Sequence, residues 1–174
     1  MTVLSRLRSS WRMLAARVRP APASGAPAAE QIEALLPLLD TAVVLQPEAE
    51  RVIRLCAEDG VLDTRQIAER GSEVRVGYWR LRRDLPALPG PAELKDDIRR
   101  LLLYHEWYVH DAVACACAPV QTPELVAHRR HLTGGLGAPA EHLRLLRQDL
   151  HWELAELTDG PAGPAGENTG SGDR

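Results

Sequence analysis

The chain has 174 residues, 45% hydrophobic and 26% charged, the size and balance of one globular domain with at most a small appendage. The net charge of −3 is uneven: residues 1–29 carry five Arg and no acid, +5, so the remainder carries −8, a balance that argues against a protein wrapping nucleic acid broadly. Three cysteines without framework spacing (Cys56, Cys115, Cys117) point to reduced thiols in the cytoplasm, and no stretch approaches the about 18–20 apolar residues of a membrane span.

Lys95 is the only lysine and Asn168 the only asparagine, against twenty Arg and no Phe. That bias follows GC-rich codons, so an individual Arg is not by itself a functional signal.

Residues 3–19 space Leu4, Leu7, Trp11, Leu14 and Val18 by 3 and 4, placing five apolar side chains on one helical face with Arg and Ser elsewhere. This is the pattern of an amphipathic segment that attaches to an anionic membrane surface or a partner groove, and an Arg-rich, acid-free transit peptide shares it. The apolar run Met13–Ala16 is too short for a secretory signal. Residues 20–29 (PAPASGAPAA) read as a linker, and 159–174 (DGPAGPAGENTGSGDR) as a disordered tail, because neither can bury enough apolar surface to offset ordering.

Between them the periodicity predicts an all-α fold of five or six helices, divided into a 30–90 half and a 91–158 half. Residues 30–45 place Ile32, Leu35, Leu36, Leu39 and Val43 on one face, with Pro37 expected to kink the helix or delay its start. Pro47 suits the first position of a new helix running to Glu58, with Gly60 beyond its end. Asp63 or Thr64 caps a short helix ending near Arg70, before Gly71. From Ser72 onward Val74, Val76 and Tyr78 alternate as in a strand, while Tyr78, Leu81 and Leu85 recur as in a helix. A proline-rich break over 85–91 follows.

The longest helix spans about 92–117, with a stripe of Leu94, Ile98, Leu101, His105, Tyr108, Ala112 and Cys115. Thr122-Pro123 opens a helix closed by Gly134-Gly135, and Pro139 opens the last, with a ridge of Leu143, Leu146, Leu150, Leu154 and Leu157. Short connections make this half a small antiparallel bundle.

Residues 49–85 resemble, loosely, the winged-helix repressor pattern: a helix, a turn, a helix with Ala68 at the crossing, a turn at Gly71, and an Arg-bearing helix. The resemblance implies DNA contact by Arg75, Arg80, Arg82 and Arg83. Gly77 inside the recognition helix, a short spacing after Ala68 and a balance of eight acids with eight Arg over 47–90 all depart from it.

For metal, Glu106/His110, Asp149/Glu153 and His128/His131 share helical faces, but inward Glu-x-x-His pairs are missing, and Cys115 and Cys117 diverge by about 200° on a helix. No metal ligand is therefore assigned. His105-Glu106 has the residue types of a phosphotransfer dyad, yet His105 lies on the apolar stripe. Neither a nucleotide-cradling loop nor a nucleophile elbow is present, so no catalytic residue and no cofactor is assigned. Tyr104, Trp107 and Tyr108 cover more than one face of their helix; Tyr104 and Trp107 become candidate interface anchors, with Trp107 alternatively meeting Trp152 inside the bundle.

The leading expectation is a non-catalytic interaction or regulatory protein with a protein partner or a second copy of itself. The alternatives are a helix-turn-helix DNA-binding regulator and a metal-binding helical-bundle enzyme.

Overall fold

A computed structural model describes residues 27–58 and 63–158. They form α1 (Ala28–Ala57), α2 (Thr64–Asp84), α3 (Ala92–Ala116), α4 (Pro123–His131) and α5 (Gly137–Thr158), with single 3-10 turns at Leu85–Ala87 and Leu132–Gly134. The described residues contain no strand. The expectations for the apolar face of 3–19 (Leu4, Leu7, Trp11, Leu14, Val18), for most of the linker and for the 159–174 tail lie outside the described residues.

Several helix ends follow the sequence signals. The Asp63 carboxylate accepts from the Arg65 N–H at 3.2 Å, and the Thr122 hydroxyl accepts from Leu125 N–H at 3.3 Å. Each satisfies an otherwise orphan first-turn donor. Gly135 takes φ +69° after the 3-10 turn, a backbone state that favours glycine. At the break between α2 and α3, Lys95 Nζ donates to the Leu88 carbonyl at 3.1 Å and so ties the loop to the first turn of α3.

α1 differs from the expected two helices. It runs unbroken for 30 residues with both Pro37 and Pro47 inside it. An interior proline costs about 3 kcal/mol through a lost hydrogen bond and ring contact. α1 packs against α2, α3 and α5. Leu35, Leu39, Val52 and Ile53 are each at most 1% exposed. At about 1.5–3 kcal/mol for each such side chain, their burial outweighs both prolines.

α2 corrects the reading of 64–85. The chain does not turn at Gly71; the helix continues through it, and Val74, Val76 and Tyr78 are helical. Gly71 is buried where α2 meets α3, and a Cβ there would lie 2.3 Å from Val113 Cγ2 and 3.6 Å from Val52 Cγ1. The missing side chain serves helix contact, and the small residue at the crossing is Gly71, with Ala68 only half-buried. The pair of helices meeting at a Gly71 turn, which the repressor resemblance required, is absent.

Contacts fix the helix directions. Arg144 and Arg147 of α5 reach Gln46 and Asp40 of α1, and Arg75 and Arg82 of α2 reach His110 and Glu106 of α3. Rising numbers meet falling ones, so both pairs are antiparallel. Residues 30–90 and 91–158 share one core, in which Leu35, Leu39 and Tyr78 join Ile98, Leu102, Leu143 and Leu146. The α3 stripe is wider than its spacing suggested, since Leu102 and Val109 are fully buried while Leu94 and Tyr108 are only partly so. The α5 ridge leaves the core at its end, where Leu157 is exposed.

Candidate functional site

One polar cluster lies inside the core. His105 and Gln46 are 0% and 2% exposed. His105 Nδ1 is 2.6 Å from the Leu101 carbonyl, which can only accept, so Nδ1 carries the proton. His105 Nε2 then accepts from Gln46 Nε2 at 3.3 Å, and the same amide nitrogen donates to the Ala140 carbonyl at 3.0 Å. Gln46 Oε1 accepts from Arg144 Nε at 2.8 Å. The Tyr78 ring lies 5.1 Å from the imidazole, and its hydroxyl donates to the Ala42 carbonyl. The network ties α1, α2, α3 and α5 together. It has no solvent-accessible imidazole, so His105 cannot meet a phosphodonor, and Glu106 is held by Arg82.

Burial holds the His105 pKa below the ordinary 6.5, with the Arg144 charge acting the same way and the Leu101 hydrogen bond opposing. On acidification the unfolded chain takes up this proton near pH 6.5 while the folded chain resists it. Stability should therefore fall as pH drops from about 7 toward 5, by up to about 1.4 kcal/mol per unit. Urea unfolding across that range should show the slope, and His105→Gln should remove it; an unchanged slope in the variant would assign the dependence elsewhere. Asp40, held below 3.8 chiefly by its Arg147 hydrogen bond, contributes stability lost only at lower pH.

The three cysteines are free. Burial raises all three thiols, Cys56 to about 12, which disfavours a reactive thiolate. Cys115 is buried near Asp111, and Cys117 Sγ donates to the Thr64 carbonyl at 3.4 Å. Glu106 and His110 are each engaged by an Arg of α2. Asp111, Cys115 and His128 do converge. The Asp/Cys spacing of four was legible in the sequence; the docking of α4 that brings in His128 was not.

The four Arg expected to meet DNA are dispersed in their contacts. Arg75 bonds His110 Nδ1 at 3.0 Å, Arg82 bonds Glu106 at 3.0 Å, and Arg83 bonds Asp84 while lying 5.1 Å from the Trp79 ring centroid. Arg80 is exposed. They do not form a common unpaired basic ridge.

The outer surface is unusual in its aromatics. Trp79, Trp107 and Trp152, the tryptophans of the described residues, are 42%, 54% and 64% exposed. Trp107 and Trp152 therefore do not meet within the core. Trp152 stands beside a shallow α1–α5 groove lined by Val43, Arg147 and His151. Arg100, Leu103, Tyr104 and Trp107 line a second depression along the outer stripe of α3. Tyr104 is half-buried, 5.5 Å from the Tyr108 ring. Trp79 lies four residues after Arg75 and three before Arg82, the two residues that reach α3, so it stands on the α3 side of α2. Leu103 and Trp107 flank Glu106, the partner of Arg82. Trp79 and Leu103 thus stand near the α2–α3 seam, and Trp107, about 100° round the helix from Glu106, lies beside Leu103 on the outer stripe of α3. The sequence singled out Tyr104 and Trp107; it missed Trp79 and Leu103, because residues 72–85 had no settled period. Comparison of the chain with protein-family models, with curated proteins and with solved structures finds no match.

Proposed function

We propose that the protein is a non-catalytic interaction module whose α2–α3 face binds a second copy of the chain. The observation that carries this reading is the exposure of Trp79 on α2 and of Leu103 and Trp107 on the adjoining α3. Tryptophan is among the side chains most enriched at the residues that dominate binding energy. Charge permits self-association here despite the acidic body. Arg82–Glu106, Arg83–Asp84, Arg99–Asp96 and Arg100–Asp97 pair within the surrounding α2–α3 surface, so two copies can meet there with little net repulsion. Two-fold pairing of identical patches is also the commonest closed assembly.

Trp79→Ala combined with Trp107→Ala should weaken self-association by at least about 30-fold, the effect of losing about 2 kcal/mol of anchor energy. Thermal stability at concentrations where the wild type is a single chain should change little, since neither side chain belongs to the core. Concentration-dependent light scattering with a melting curve measures both. An unchanged dimer would refute the assignment of the face.

A further inference from the structure

A carboxylate oxygen of Asp111, the Cys115 sulfur and an imidazole nitrogen of His128 lie within 4.8 Å of one another. Asp111 and Cys115 stand one turn apart on α3, and α4 carries His128 across to them, with Nε2 2.8 Å from Asp111 Oδ2. We propose that these three side chains form a binding site for a borderline-soft divalent cation, zinc(II) fitting best, with water as the fourth ligand.

The donor set supports this choice. One sulfur, one nitrogen and one oxygen match zinc(II) and its analogues, whereas magnesium and calcium select all-oxygen sites. Zinc bonds of about 2.0–2.3 Å give tetrahedral ligand separations of about 3.3–3.8 Å. Side-chain rotations moving the outer atoms by about 1 Å reach that geometry. On binding, the Cys115 thiol releases its proton to solvent and Sγ bonds the ion. The imidazole proton now facing Asp111 moves to Nδ1, freeing the Nε2 lone pair. His128 is exposed, so solvent can carry that exchange.

The placement gives the ion a structural use. α4 buries none of its nine residues, so little apolar surface holds its body against α3. A cation shared by Asp111, Cys115 and His128 would fasten α4 in place. A nucleophilic Cys–His–Asp relay fits less well, because the Cys115 sulfur is buried away from any substrate.

Cobalt(II) titration of the chelator-treated full chain tests the site. One ion should bind per chain with an intense thiolate-to-cobalt charge-transfer band, and zinc(II) should displace it. Asp111→Asn and His128→Gln, at partly and largely exposed positions, should each weaken binding tenfold or more while leaving the helical circular dichroism intact. Cys115→Ser should abolish the band, and Cys56→Ser and Cys117→Ser should retain it. Zinc should raise the melting temperature of the wild type and not of Asp111→Asn. The proposal is overturned if the wild type shows no band at about millimolar cobalt, where binding would be too weak to matter. A band that survives Cys115→Ser, or unchanged affinity in both Asp111→Asn and His128→Gln, overturns it equally.

Discussion

Gln46→Leu should destabilise the protein by about 3–4 kcal/mol, although the new side chain is apolar and close in size to the old. The wild-type amide donates to the Ala140 carbonyl and to His105 Nε2 and accepts from Arg144. Leucine leaves His105 Nε2 buried without its donor, removes the second hydrogen bond of the Ala140 carbonyl, whose helical partner remains, and frees the Arg144 guanidinium from its anchor. Each unsatisfied buried group costs about 1–3 kcal/mol, and the gain from burying an apolar residue offsets only part of the sum. Urea unfolding monitored by circular dichroism measures the loss. A cost below about 1 kcal/mol would show that the network adds little to stability. His105→Leu in the same background should cost less than it does alone, because it removes the orphaned acceptor, and a double-mutant cycle reads that coupling.

Gly71→Leu should cost about 3 kcal/mol, at the upper end of what overpacking produces. On an isolated helix, replacing glycine stabilises by about 1 kcal/mol, so the sign alone separates the two accounts of this residue. A Cβ at position 71 would sit 2.3 Å from Val113 Cγ2, on a branched side chain that cannot swing aside without leaving its rotamer. α2 and α3 must therefore separate, and the Arg82–Glu106 and Arg75–His110 contacts lengthen with them. Gly71→Ala should be destabilising alone and should recover most of its loss when Val113→Ala opens the space. Thermal melts of the two single variants and the double variant suffice. A stabilised Gly71→Ala would mean that the glycine is a helix defect and not a contact.

The same residue shows where the sequence was legible and where it was not. A glycine after a capped helical turn reads locally as a stop, and only Val113, 42 positions later, shows that it is a crossing point. Pro47 failed for a related reason: its local preference for a helix start was overridden by core contacts on both sides of it in α1. The α3 and α5 stripes were readable because their apolar spacing is long and uninterrupted, and the buried His105 was readable because it lay on such a stripe. Trp107 stood out as one aromatic too many for a single face. Trp79 did not, since its surface position depends on which edge of α2 meets α3. Convergence of Asp111 and Cys115 with His128 required knowing how a nine-residue helix docks, which no local pattern encodes.

Sedimentation equilibrium of the full chain tests the interaction reading most directly. At about 0.1 mM, where a dimer of micromolar Kd is nearly complete, the expected mass is twice that of the 19.1 kDa chain. It should fall to the single-chain value on dilution, and at all concentrations in the Trp79→Ala/Trp107→Ala variant. A wild-type mass of one chain throughout that range would contradict the proposal that the α2–α3 face joins two copies.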